Sequence, residues 1–212
     1  MFEVIPSPGT EDTEWSTIEE KIEIVRPMVR SLHIDIADGI FIPHKTFMDP
    51  TPFKKYSDVL FLEVHFMTDN PIQYLKQYAD CGFKRFIGQI EKMKDVEEFV
   101  AQGQLLGEVG LAIDGPTPLS SLKINLDDLD CLLFYTGQQA GHSGASFMPD
   151  RLEKVKEVRK SSTILIEVDG GISDTTIVQA KEAGVTRFVT TGFVFDSENP
   201  LLQLKKLQDA IK

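Results

Sequence analysis

Four residues carry the chemistry open to this chain: His33 and Asp35 in SLHIDIADG, His65 in LEVHFM and Asp169 in IEVDGG. Each sits at or near the end of a short apolar run that reads as a strand. Two imidazoles and two carboxylates form a ligand set for a first-row divalent ion. Two carboxylates in one pocket also supply an acid and a base. Taken singly, each residue has a plainer reading. A lone strand His packs as a satisfied core histidine, and Asp38-Gly39 or Asp169-Gly170 reads as a turn. Together the plain readings fail, because burying two Asp and two His without a cation is costly.

The frame that must position them follows from the apolar runs. Candidate strands are Phe2–Ile5, Leu32–Ile36, Val59–Phe66, Phe86–Ile90, Val109–Ile113, Cys131–Tyr135, Ile164–Val168 and Arg187–Thr190. Amphipathic stretches separate them. Ser16 with Glu19 has the capping-box pattern, Asn70-Pro71 places a cap before a proline, and Asp174 is placed to cap the stretch 175–183. Gly82 and Gly184 read as residues that end helices. Alternation of continuously apolar strands with helices predicts a parallel sheet covered by helices. Eight units predict an α/β fold of the (β/α)8 TIM-barrel type, a single domain over 1–212, with a doubly wound sheet as the alternative. An internal echo, CGFKRFI at 81–87 and AGVTRFV at 183–189, opens strands four and eight. Strand periodicity turns His33 and Asp35 to one side and Ile34 and Ile36 to the other. Glu63 and His65 share a side, as do Glu167 and Asp169, so both glutamates are candidates to orient ligating imidazoles.

A second constellation is rich in glycine: GHSGASF at 141–147, DGGIS at 169–173 and TTGF at 190–193. These pieces follow strands six, seven and eight, where phosphate-binding barrels hold phosphate. None contains Lys or Arg, so backbone N–H groups, hydroxyls and His142 are the available donors.

Composition bounds the rest. The 212 residues are 42% hydrophobic and 26% charged, with a net charge of −11. This acidity argues against nucleic acid or an anionic membrane surface as partner. Cys81 and Cys131 form no C-x-x-C pair and read as small core residues, which fits a reducing, cytoplasmic setting. The N-terminus has neither a basic segment nor an apolar core of the signal-peptide kind, and no run is long enough for a membrane span. Phe41, Phe47 and Phe53 after strand two read as an exposed lid, as a contact in a homo-oligomer, or as loop packing on the barrel.

The chain resembles the ribulose-phosphate 3-epimerase family. The resemblance rests on VIPSPGTED, LHIDIADGIFIPHKTF, LEVHFMTDNP, GLAIDGPTPL and IEVDGGI, in the family's order and spacing. It implies a ribulose-phosphate-binding barrel with one divalent metal ion (Zn, Mn, Fe(II) or Co) on His33, Asp35, His65 and Asp169. It further implies Asp35 and Asp169 as the acid/base pair on opposite faces of a phosphorylated ketose. Ser7 and His65 would contact that substrate, and Gly141, His142, Ser143, Gly144, Gly170, Gly171, Thr191 and Gly192 would hold its phosphate. The implied reaction inverts C3 of D-ribulose 5-phosphate; a hexulose 6-phosphate epimerase and a non-catalytic sugar-phosphate binder are the alternatives. The chain departs from the family pattern at several places. Ala37 and Thr136 stand where the family has Met, and only Met67 is kept. A fourth-strand His is missing near Gly88-Gln89, and the phosphate loops differ.

Overall fold

The computed structural model describes residues 2–138, 141 and 144–212. Among them are eight strands: β1 Glu3–Pro6, β2 Ser31–Ala37, β3 Phe61–Met67, β4 Arg85–Gln89, β5 Glu108–Ile113, β6 Cys131–Tyr135, β7 Leu165–Asp169 and β8 Arg187–Thr190. They form one parallel ladder in the order β1-β8-β7-β6-β5-β4-β3-β2. β1 and β2 lie against each other at the remaining seam. Side chains stitch this seam: Ser31 Oγ donates to Glu3 Oε1 at 2.6 Å, and Ser7 Oγ donates to Asp35 Oδ2 at 3.0 Å. The result is the nearly closed (β/α)8 barrel that the alternation predicts.

Helices α1 Trp15–Val25, α2 Ile72–Asp80, α3 Val96–Gln104, α4 Leu152–Arg159, α5 Thr176–Glu182, α6 Gly192–Phe195 and α7 Pro200–Ala210 surround the strands. After β2 the chain makes a 3-10 helix, Thr51–Tyr56. This turn delays β3: Val59 and Leu60 donate their N–H groups back to Tyr56, so pairing begins at Phe61 rather than Val59. Three caps differ from expectation. Ser16 lies inside α1, whose capping residue Glu14 makes no side-chain bond. α2 begins after Pro71 without a side-chain cap from Asn70. At α5 the Ser173 hydroxyl accepts from the Thr176 N–H, the role expected of Asp174. Gly82 and Gly184 do end helices, at φ +89° and +104°.

The apolar surface divides as the alternation requires. Ile34 and Ile36 join the large core between strands and helices, together with Phe66, Phe86, Phe99 and Phe188. Phe66 meets Tyr78 edge-on at 5.4 Å and Phe99 at 6.3 Å; such ring pairs add ~0.5–1.5 kcal/mol each beyond area burial. Inside the barrel one small apolar cluster is Ile87, Ala112 and Leu133. Much of the remaining interior is polar. Phe53 is buried, not exposed, and packs on Trp15 and Phe83, with Phe47 beside it. That is the loop-packing reading of the phenylalanines. Neither cysteine is paired; Cys131 is buried and Cys81 half-buried. Among the described residues no helix is long and apolar enough to cross a membrane.

Candidate active site

The register of β2 and β3 brings the candidate ligands together, because Asp35 pairs with His65 and His33 with Glu63. All four side chains point into the barrel and are buried. Asp35 Oδ1 lies 3.0 Å from His65 Nδ1 and 3.3 Å from His33 Nε2. Its other oxygen accepts from Ser7. His33, Asp35 and His65 each offer one donor atom within 4.8 Å of one another, a grouping that fits one divalent ion. Asp169 is outside this tight trio but lines the same cavity as Asp35 and His65. Thr136 fixes its main chain: the Thr136 N–H and hydroxyl both donate to the Asp169 carbonyl, at 2.6 and 2.9 Å.

Below the trio lies an ionic floor. His33 Nδ1 faces Glu63 Oε1 at 2.9 Å and Glu167 Oε1 at 3.2 Å. Glu63 Oε2 accepts from Arg85 at 2.8 Å and Arg187 at 2.6 Å, and Glu167 Oε2 accepts from Arg187 at 2.8 Å. The two arginines are the Arg of the CGFKRFI and AGVTRFV echo, so the internal repeat delivers two guanidiniums to one buried carboxylate. A second acidic grouping, His33 with Glu63 and Glu167, is thereby already neutralised by Arg. Both glutamates face His33, the contact expected of groups that orient an imidazole.

The charges shift the proton affinities of the two aspartates in opposite directions. Burial would raise the Asp35 carboxyl, but His33 and His65 overcome it and hold it well below its ordinary range. Burial, and then the negative charge of Asp35, push Asp169 up to about 7. Burial would lower His33, yet Asp35, Glu167 and Glu63 hold it well above its ordinary value. Two carboxyls in one cavity thus differ in proton affinity, the condition for paired acid/base work. A cation on the trio would relieve the repulsion that raises Asp169.

The cavity has a volume of about 260 Å³ and opens at the C-terminal ends of the strands. Gly141, Gly144, Gly170, Gly171, Thr191 and Gly192 all line it. His142 and Ser143 fall outside the described residues. Gly171, at φ +71°, could not carry a Cβ, which would stand 2.4 Å from the Phe147 nitrogen. No Lys or Arg is among the described lining residues. Ala37, Ile42, Met67 and Tyr135 form a small apolar cluster beside the polar groups, with Phe41 against it. Asp38 is a turn former as its Gly suggests; its carboxylate accepts from the N–H groups of Ile40, Phe41 and Asp69, tying the loops after β2 and β3 together.

Sequence reasoning passed over several lining or supporting residues. Tyr135 was within reach of it, lying two positions after inward-facing Leu133. Thr10 bonds the Gly141 carbonyl at 3.2 Å and lines the cavity, a contact across 131 residues that no local signal marks. Gln89, buried at the end of β4, bonds His65 Nε2 at 2.7 Å. Asp196 places a carboxylate against Gly192 at the cavity edge.

Fold and cavity define a (β/α)8-barrel enzyme whose polar groups gather at one rim. The sequence matches the ribulose-phosphate 3 epimerase family over residues 8–195. The chain belongs to that family and is an isomerase of the epimerase type. It is 32% identical over 185 residues to the ribulose-phosphate 3-epimerase of Mycobacterium tuberculosis, covering 84% of this chain and 80% of that one. The Schizosaccharomyces pombe ribulose-phosphate 3-epimerase is 32% identical over 187 residues, with 85% and 81% covered. Among solved structures, 3-hexulose-6-phosphate synthase from Salmonella typhimurium superposes with TM-score 0.74 at 15% identity, covering 99% of this chain and 98% of its own. KGPDC from Streptococcus mutans gives 0.76 at 12% identity, covering 100% and 97%. At such identities these two speak for the fold alone.

Proposed function

We propose that this chain is a divalent-metal-dependent epimerase that inverts C3 of a ketose phosphate, interconverting D-ribulose 5-phosphate and D-xylulose 5-phosphate. One observation carries the reading: Asp35 and Asp169 line one cavity at the rim of the barrel, with their proton affinities shifted in opposite directions. Inversion beside a carbonyl needs a base on one face and an acid on the other. A divalent ion held by His33, Asp35, His65 and Asp169 would supply Lewis-acid stabilisation of the oxygen charge that builds up on proton removal.

The chain's own groups do the rest. Asp35, kept ionised by its two imidazoles, takes the C3 proton. Asp169 delivers a proton to the opposite face, and the roles exchange in the reverse reaction. Ser7 holds the Asp35 carboxylate and Thr136 holds the Asp169 main chain. Met67 and Tyr135, backed by Ile42, present an apolar wall to the cavity. The phosphate would rest at the glycine loops, on main-chain N–H groups near Gly144, Gly171 and Gly192 and the Thr191 hydroxyl. The names of the curated relatives support ribulose 5-phosphate as substrate.

Deuterium exchange from heavy water into C3, measured over ribulose 5-phosphate and hexulose 6-phosphates with metal-replete protein, tests the proposal. Fastest exchange into ribulose 5-phosphate is expected. Faster exchange into a hexulose phosphate would move the substrate assignment. No exchange into any ketose phosphate would leave a sugar-phosphate binder and contradict catalysis. Elemental analysis of the purified protein checks the metal.

A further inference from the structure

We propose that Glu91 and Gln89 are positioning residues, a hydrogen-bond relay that fixes His65 as a ligand through Nδ1. This rests on the metal reading above. Glu91 follows β4, and as a carboxylate it only accepts. Its Oε1 takes the Asp114 N–H at 2.7 Å and its Oε2 takes Gln89 Nε2 at 2.6 Å. The Gln89 amide is therefore not free to turn over: its nitrogen points at Glu91 and its carbonyl oxygen at His65. That oxygen lies 2.7 Å from His65 Nε2. A carbonyl oxygen only accepts, so Nε2 carries a proton, and once the ring is neutral, as a ligand must be, its lone pair is on Nδ1. Nδ1 is the atom that faces Asp35, 3.0 Å from Oδ1. With the relay in this direction, two lone pairs face each other across that gap, which is where a cation fits. Gln89 is fully buried, so no solvent water replaces either partner.

The relay has a direction, and one exposed residue sets it. Glu91→Gln keeps an oxygen for the Asp114 N–H and turns an amide nitrogen toward Gln89. Gln89 must then offer its oxygen outward and its NH2 to His65. Nε2 becomes the acceptor and the proton moves to Nδ1, where it blocks the metal-facing position. Glu91 is exposed on the surface, so this substitution leaves the core packing intact.

The test is NMR of the full chain, labelled with nitrogen-15 at histidine and loaded with an NMR-active cadmium isotope. The expected result is cadmium coupling to His65 Nδ1 and a hydrogen-bonded proton on Nε2. In Glu91→Gln the Nε2 proton is lost and cadmium affinity falls roughly 10–100-fold, the usual effect of removing such support. Gln89→Leu, which deletes the acceptor outright, lowers affinity in the same direction. Coupling through Nε2, or unchanged cadmium affinity in Glu91→Gln, overturns the relay while leaving the metal reading in place. A wild-type chain that binds no cadmium overturns both.

Discussion

Ser7 reaches across the only seam of the barrel without a ladder among the described residues and donates its hydroxyl to Asp35 Oδ2 at 3.0 Å. The same hydroxyl accepts the Gly9 N–H at 3.2 Å, so the loop after β1 is fixed to the proposed base. Ser7→Ala leaves a buried carboxylate oxygen short of one donor. The expected cost is about 1–3 kcal/mol of stability, since the orphaned group is charged and buried. Turnover should fall with little change in KM, because Asp35 loses its aim and the phosphate end is untouched. Chemical denaturation and initial rates check this; a raised KM with unchanged turnover would make Ser7 a substrate ligand instead.

Metal affinity should depend on pH in two stages. Ion binding requires His33 and Asp169 in their deprotonated, ligating forms. Asp169 is pushed up to about 7 by burial and Asp35, and His33 lies well above its ordinary value. Asp169 therefore adds about one released proton per ion below about pH 7 to those released above it. Affinity rises with pH throughout and rises more steeply on the acid side. Titration calorimetry in buffers of different ionisation enthalpy reads the proton count directly. Asp169→Asn should remove that extra proton from the acid-side slope.

The ionic floor predicts a sharp contrast between buried and surface pairs. Arg187 serves Glu63, Glu167 and Glu3, and the first two are fully buried. Arg187→Met leaves buried Glu167 without its guanidinium and Glu63 with Arg85 alone, and should destabilise by about 3–5 kcal/mol. Lys76 and Asp80 form an exposed i,i+4 pair, and Lys76→Ala should cost no more than about 0.5 kcal/mol. Urea denaturation of both variants makes the comparison.

Gly171 tests the loop that links the acid to the phosphate end. Gly171→Ala demands a side chain at φ +71° and forces a Cβ to 2.4 Å from the Phe147 nitrogen. The loops after β6 and β7 must separate. KM for the ketose phosphate should rise, and stability should fall by more than about 1 kcal/mol. An unchanged KM would place the phosphate elsewhere.

Much of this architecture was legible because strands have a strict two-residue period. His33 with Asp35, and Glu63 with His65, had to share a face, and Ile34 and Ile36 had to leave it. The ends of elements were harder. Ser16, Asn70 and Asp174 have side chains suited to capping, but a cap also depends on where the chain enters the helix, which local sequence does not determine. The ionic floor was half visible: Glu63 and Glu167 read as inward, while Arg85 and Arg187 read only as an echo. Their meeting at Glu63 depends on barrel closure, which joins strands far apart in sequence. The Glu91–Gln89–His65 relay was invisible for the same reason, since it needs the β3–β4 register and the Asp114 N–H from the loop after β5.

The most direct test of the central claim is the fate of the C3 hydrogen during turnover in heavy water, compared among wild type, Asp35→Asn and Asp169→Asn with metal content measured for each. Two-base transfer predicts solvent deuterium at C3 of the product in both directions for wild type. Each variant should lose interconversion by about a thousandfold or more, within the range for removing an acid/base group. A metal-loaded Asp35→Asn or Asp169→Asn protein that still interconverts the sugars near the wild-type rate would contradict it.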